Sequence, residues 1–231
     1  SLHQNQQKVR QDDSRYKVLV CGRRFGKSIY QINGAIEDAL TYRGEYSDLM
    51  PPIVFVGMPT LKKVKRLFFR PMARLLQGHP FVESIDKTEC VIRLKGNLPD
   101  IVFGGLQRDE YEKVRGFRIY KARIDEAQDV PEAAFTEAIL PAMADTIGSS
   151  LDVTGTPKGR QGTLYNLAMR DGQNDWRFFH FKTIDNLAVP MLVEEVAKAQ
   201  QMLDPRIFRQ EYEASFEDFP GKIFSEISRD A

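Results

Sequence analysis

Residues 17–30 read KVLVCGRRFGKSIY, and the fold is read outward from them. Lys17 to Cys21 is a short apolar run rich in valine, the pattern of a buried strand. Gly22-Arg23-Arg24-Phe25-Gly26-Lys27-Ser28 follows, and then Ile29 to Leu40, which suits a helix. A strand, a glycine-bearing loop ending in Gly-Lys-Ser and a helix, in that order, predict a phosphate-binding loop. Gly26 permits a tight turn and close approach to an anion. The loop amides and the helix N-terminus aim partial positive charge at phosphates. Lys27 adds a point charge for the β and γ phosphates, and the Ser28 hydroxyl can ligate Mg²⁺. Cys21 stands where the common pattern opens with glycine.

The acidic half of such a site is expected at the end of another strand. Ile119 to Ile124 leads into Asp125-Glu126. The first carboxylate would hold the Mg²⁺ shell, and the second would accept a proton from the attacking water or orient it. Lys121 and Arg123 interrupt this strand. Their alternation with Tyr120, Ala122 and Ile124 predicts one buried face and one partly open face. Leu151 to Val153 is a further strand, followed by Thr154-Gly155-Thr156-Pro157-Lys158-Gly159. Its hydroxyls are suited to sensing a γ phosphate, and a plain turn is the simpler reading.

Composition bounds the rest. The 231 residues suffice for one large domain, and 42% hydrophobic content supports a sizeable core. A net charge of +1 means that any nucleic-acid contact must come from a local patch. Cys21 and Cys90 make no disulfide framework and fit a reducing compartment. No apolar run has membrane-span length, and residues 1–15 lack an apolar signal core. A soluble, intracellular protein without membrane association is expected.

Ser1 to Arg15 is polar and glutamine-rich, and on residue type it predicts a loose tail. The alternative is that Gln6 reads the hydrogen-bonding edge of adenine, since an amide donates and accepts at once. Ile53 to Gly57 is a second apolar strand. Leu61 to Leu76 is a basic amphipathic helix, which Pro71 is expected to divide. Its Lys62, Lys63, Lys65 and Arg66 form either a solvated face or a DNA-backbone contact. Cys90 to Leu94 and Asp100 to Phe103 suggest a hairpin. Leu106 to Arg118 reads as a charged loop in which Gly116 would let Arg115 project. Val130 to Ala144, Thr163 to Arg170, Leu192 to Leu203 and Pro205 to Glu213 read as helices, and Trp176 to Thr183 as a last strand.

Several of these pieces fall into one order. GRRFGKS, VRGF, IDEA at Ile124–Ala127, TGTPKG, TIDN at Thr183–Asn186 and FRQEY at Phe208–Tyr212 together resemble the ATPase half of a large terminase. That is the DNA-packaging motor of tailed double-stranded DNA viruses. The resemblance implies a P-loop NTPase of the ASCE type, α/β with a mostly parallel central sheet flanked by helices. It implies a core over residues 1–183 and a helical linker region over residues 184–231. It implies ATP and Mg²⁺ as the groups bound, within a nucleotide-binding set of Gln6, Gly22, Arg23, Arg24, Phe25, Gly26, Lys27 and Ser28. Arg23 would reach the γ phosphate in its own subunit, and Arg115 would be an arginine finger for the neighbouring one. Asp125 and Ser28 would serve the metal, Glu126 catalysis, and Thr154, Gly155 and Thr156 coupling. The implied partners are duplex DNA, further subunits in a ring, a portal protein and a small terminase subunit. The implied location is the host cytoplasm and, transiently, the procapsid portal vertex, but not the mature virion. A nuclease domain would begin after Gly221 to Phe224, so no DNA cleavage is expected of this stretch. A helicase-like nucleic-acid-dependent ATPase is the alternative function.

Overall fold

The computed structural model describes residues 2–217. The expected start of a nuclease domain, after residues 221–224, lies outside them. The strands are β1 (Tyr16–Cys21), β2 (Pro52–Met58), β3 (Val82–Asp86), β4 (Val91–Leu94), β5 (Asp100–Gly105), β6 (Arg118–Ile124), β7 (Ser150–Gly155) and β8 (Trp176–Phe181). They form one sheet in the order β3-β4-β5-β2-β6-β7-β1-β8. From β5 to β8 every pairing is parallel. The β3–β4 and β4–β5 pairings at one edge are antiparallel. The helices are α1 (Gln4–Gln11), α2 (Lys27–Leu40), α3 (Leu61–Val64), α4 (Arg70–Leu76), α5 (Leu140–Ala142), α6 (Thr163–Ala168), α7 (Leu192–Met202) and α8 (Pro205–Tyr212).

Alternation along the parallel strands sorts the core onto both faces of the sheet, as expected of a sheet covered by helices. Ile53 and Phe55 of β2 pack with Phe135, Leu164 and Leu167 on one side. Val54 and Val56 pack with Ala35, Phe68 and Met72 on the other. The β1 strand ends beside β7 and β8, so the Gly22–Ser28 loop emerges next to the ends of both.

Five sequence expectations are corrected. The N-terminal stretch is not a loose tail: α1 packs on the domain, with Gln6 and Val9 buried. Pro71 does not divide its helix, because a π-helical segment (Lys65–Phe69) links α3 to α4 and carries the chain through. A second π segment (Ala134–Ile139) precedes Pro141 in the same way. The wider turn accommodates a ring that would clash in a regular helix. The charged loop is a 3₁₀ helix (Arg108–Gly116). Gly116 lies outside the positive-φ residues, and a side chain there would meet nothing within 4 Å, so Arg115 does not depend on it. Strand β3 has no strong alternation, and nothing in the sequence announces it.

The fifth correction concerns β6. Its second face is half-buried at Lys121 and closed at Arg123. Arg123 is 2% exposed and pairs with Asp38 at 2.7 Å and Asp152 at 3.1 Å. Asp152 also accepts a hydrogen bond from Tyr30, and Arg10 pairs with Asp38 at 2.9 Å. Lys121 donates to Gly148 O and Ser150 Oγ. A buried charge is tolerable only when so compensated. The seat of α2 on the sheet is therefore polar, and Gly34 leaves room for the Arg123 guanidinium. Burial works against the Asp152 charge, but Arg123 foremost, then Lys17, Tyr30 and Arg10, hold its pKa below 3.8. Its contribution to stability is present above about pH 4 and lost as pH falls through the folded value. Arg123→Leu should cost about 3–5 kcal/mol, because it strands two buried carboxylates. Chemical denaturation checks this; a loss under about 1 kcal/mol would contradict it.

Candidate functional site

The loop is shaped by two close approaches. Gly26 has φ of +102°, and a Cβ there would lie 2.7 Å from Gln6 Nε2. A Cβ on Gly22 would lie 2.5 Å from Tyr212 O and 2.6 Å from Thr183 Oγ1. The loop is clasped from outside: Arg23 N donates to Glu211 O, Thr183 Oγ1 to Arg23 O, and Asn186 Nδ2 to Arg24 O. The Phe25 side chain turns into the core, stacked on Phe181 at 4.7 Å. Arg24 is exposed, with a left-handed backbone at φ 62°.

Lys27 Nζ donates to Cys21 O at 3.3 Å, Gly22 O at 3.2 Å and Thr156 Oγ1 at 3.0 Å. None of these oxygens is anionic, so the ammonium charge is solvated by dipoles at the loop mouth. Thr156 Oγ1 in turn donates to Cys21 O. Ser28 Oγ lies 3.3 Å from Asp125 Oδ2. Asp125 Oδ1 accepts from Thr154 Oγ1 at 2.7 Å and from Glu126 N at 2.9 Å. Burial pushes the Asp125 pKa up, against the pull of Lys27 and of these two donors. Glu126 has φ of 55°, a strained setting for a non-glycine residue and one common at functional sites.

These groups line a cleft of about 390 Å³ with Arg23, Gln128, Asp129, Pro157, Lys158, Gln210 and Glu211. Sequence reading assigns no site role to the last six. Gln128 Oε1 accepts from Thr156 N, and Lys158 pairs with Asp129 at 2.7 Å. Gln210 and Glu211 come from α8, which the sequence can name as a motif but cannot bring to the loop. Among the described residues no group of three or more His, Cys, Asp or Glu side chains could hold a metal ion. A cation here would rest on Asp125 and Ser28, with phosphate oxygens and water completing the shell. That is the habit of Mg²⁺, and the donor set fits it.

The other expected residues fall as follows. Arg23 is exposed and bent onto Glu211, which raises its pKa. Gln6 is buried, and its amide makes one bond at each end: Nε2 donates to Gly26 O at 2.9 Å, and Oε1 accepts from His3 N at 3.1 Å. In this structure the Gln6 amide props the loop. Gly155 ends β7 under Gln128. Arg115 is outside its own cleft, held by Glu112 at 2.9 Å and Glu137 at 3.2 Å. Lys62, Lys65 and Arg66 do not line the cleft. Lys63, grouped with them on sequence, instead places Nζ 2.5 Å from Glu126 Oε2. The cause is local: Thr60 caps α3 by accepting from Lys63 N, which sets Lys63 in the first turn above the end of β2, the neighbour of β6. Glu126 raises the Lys63 pKa.

No protein-family model and no curated protein matches the chain. Solved structures do. The large terminase ATPase domain of Thermus phage P74-26 matches with a TM-score of 0.73 and 20% identity, over 94% of each chain. The large terminase of a second thermophilic bacteriophage, in complex with ADP, matches with a TM-score of 0.74 and 17% identity, over 93% of this chain and 54% of that one. The bacteriophage HK97 large terminase matches with a TM-score of 0.71 and 13% identity, over 93% and 50%. The chain thus spans about half the length of the last two. The fold is that of phage large terminase ATPase domains: mixed α/β, on a mostly parallel eight-stranded sheet.

Proposed function

We propose that this chain is the ATPase motor domain of a viral large terminase, hydrolysing ATP to drive duplex DNA into a procapsid. The observation that carries the reading is the convergence of Lys27, Ser28, Asp125 and Glu126 on one cleft. It is supported by a fold shared with terminases, one of them solved in complex with ADP and with ATP-γ-S. Loop amides and Lys27 bind the phosphates. A bound Mg²⁺ would neutralise developing phosphate charge, with Asp125 and Ser28 to hold it. Glu126 takes the proton of the attacking water, and it is free to do so only once Lys63 lets go. Thr156, bonded to Lys27 and Gln128, passes the state of the cleft to the β7 end. By the same reading the subunits form a ring at the portal, meet a small terminase subunit, and work in the host cytoplasm rather than in the mature virion.

Duplex DNA is the substrate moved, and α3 to α4 supplies a surface for it. Residues 61–77 hold six cations and no carboxylate. Lys62, Arg66, Arg70 and Arg74 are exposed and spaced four apart. Like charges at that spacing cost about 0.2–0.5 kcal/mol per pair in isolation, a cost that a polyanion removes. Replacing all four by Gln should lower duplex affinity. It should also flatten the salt dependence by about 3–4 in slope, at about 0.9 per lost phosphate contact. Stimulation of ATP turnover by duplex DNA should fall with it, while nucleotide affinity holds. Unchanged salt dependence would remove this surface from the proposal, and turnover indifferent to duplex DNA in the parent would count against the motor reading.

A further inference from the structure

Beneath the cleft a chain of buried polar groups runs from the seat of α2 to the acidic strand end. Gln31, on α2, is 1% exposed, and Thr154, on β7, is fully buried. Arg123 Nη1 donates to Gln31 Oε1 at 3.3 Å. A guanidinium has donors and no acceptor, so this contact fixes which way round the Gln31 amide lies. Its NH₂ then faces Thr154 Oγ1 at 3.1 Å, with Ile124 O and Asp152 O each at 3.2 Å. An amide NH₂ accepts nothing, so the single Thr154 proton must point elsewhere. Two acceptors are in reach: Asp125 Oδ1 at 2.7 Å and Ile124 O at 3.3 Å. The shorter contact, to a carboxylate, is the stronger. One polarity therefore runs from Arg123 through Gln31 and Thr154 to Asp125. It holds Oδ1 of that carboxylate and leaves Oδ2 facing Ser28.

We infer that Gln31 is a positioning residue for the metal-binding carboxylate: it fixes the Thr154 hydroxyl as the donor that orients Asp125. The inference rests on the reading of Asp125 as the Mg²⁺-shell carboxylate. Sequence reading assigns Gln31 no such role, since its partners on β6 and β7 are distant in sequence.

The test uses Mn²⁺ as the probe. Its affinity for the full chain bound to a non-hydrolysable ATP analogue is read by electron paramagnetic resonance. Gln31→Glu keeps the shape but has no N–H to give, so the Thr154 proton turns toward the new carboxylate. Gln31→Met removes both polar ends, and provides a readout if the acidic variant fails to fold. Thr154→Val removes the donor, and Thr154→Ser retains it. Loss of an outer-shell partner typically costs about 10- to 100-fold in metal affinity. A fall of that size is expected for Gln31→Glu, Gln31→Met and Thr154→Val, with Thr154→Ser near wild type. Metal-free affinity for the analogue should stay within about twofold in all four, which a general loosening of the loop would not allow. Wild-type Mn²⁺ affinity in the Gln31 variants would overturn the inference while leaving the Asp125 reading intact. If Asp125→Asn itself bound Mn²⁺ as tightly as wild type, the parent reading would fall, and this one with it.

Discussion

Glu126→Gln should bind ATP with Mg²⁺ as well as the parent and hydrolyse it about 10² to 10⁴ times more slowly, the usual loss when a general base is removed. The amide preserves the shape of the side chain and takes away its basicity. The strained backbone at φ 55° keeps the side chain at the mouth of the cleft in either form. Single-turnover hydrolysis set beside equilibrium binding separates the two effects. Lys63 also bears on the outcome, because its ammonium sits on this carboxylate. An amide is a weaker partner for an ammonium, so any change in binding should be small. Turnover equal to the parent would move the base elsewhere and require a new role for Asp125.

Arg115 carries the other large effect. A finger supplied in trans stabilises charge on the transferring phosphoryl group and is worth about 10³ to 10⁵ in rate. Within its own chain Arg115 is tied to Glu112 and Glu137 and does not line the cleft. Both ties are half-exposed pairs of the kind that contribute little to stability, so a neighbour's nucleotide can compete for the guanidinium. Arg115→Ala should leave nucleotide affinity nearly unchanged and abolish the rise in turnover on assembly. Mixing gives the sharper experiment. An Arg115→Ala subunit keeps a working loop, and a Lys27→Ala subunit keeps a working finger. Each should be inactive alone, and mixed assemblies should regain part of the activity. A mixture that stays inactive, under conditions where the parent assembles and turns over, would rule out action across the interface.

The parts of the site that the sequence makes legible are those whose signal is local. Gly26, Lys27 and Ser28 sit on a strand-loop-helix unit, and Asp125 and Glu126 follow a strand, so neighbours in sequence are neighbours in space. Lys63 is visible as a cation but not as the partner of Glu126, because that pairing depends on β2 lying beside β6, and strand order is not written in any one segment. Arg123 looks like a blemish in an apolar strand for the same reason: its partners, Asp38 and Asp152, are distant in sequence and meet it only in the folded sheet. Gln6 is legible only in part. Residue type suggests a loose tail, while the resemblance suggests a base reader, and in the folded chain the amide bonds Gly26 O of the loop and His3 N at the cap of its own helix. The two π segments are invisible because proline reads as a helix breaker unless the turn before it widens.

Whether this cleft is an ATP-hydrolysing phosphate-loop site can be decided by following release of labelled phosphate from γ-labelled ATP. The comparison is between the parent chain and Lys27→Ala, at matched concentration with duplex DNA present. The parent should release phosphate only with Mg²⁺ present, and Lys27→Ala should fall to background with greatly weakened ATP binding. Equal release by both proteins, or tight Mg-ATP binding that survives loss of the Lys27 ammonium, would contradict it.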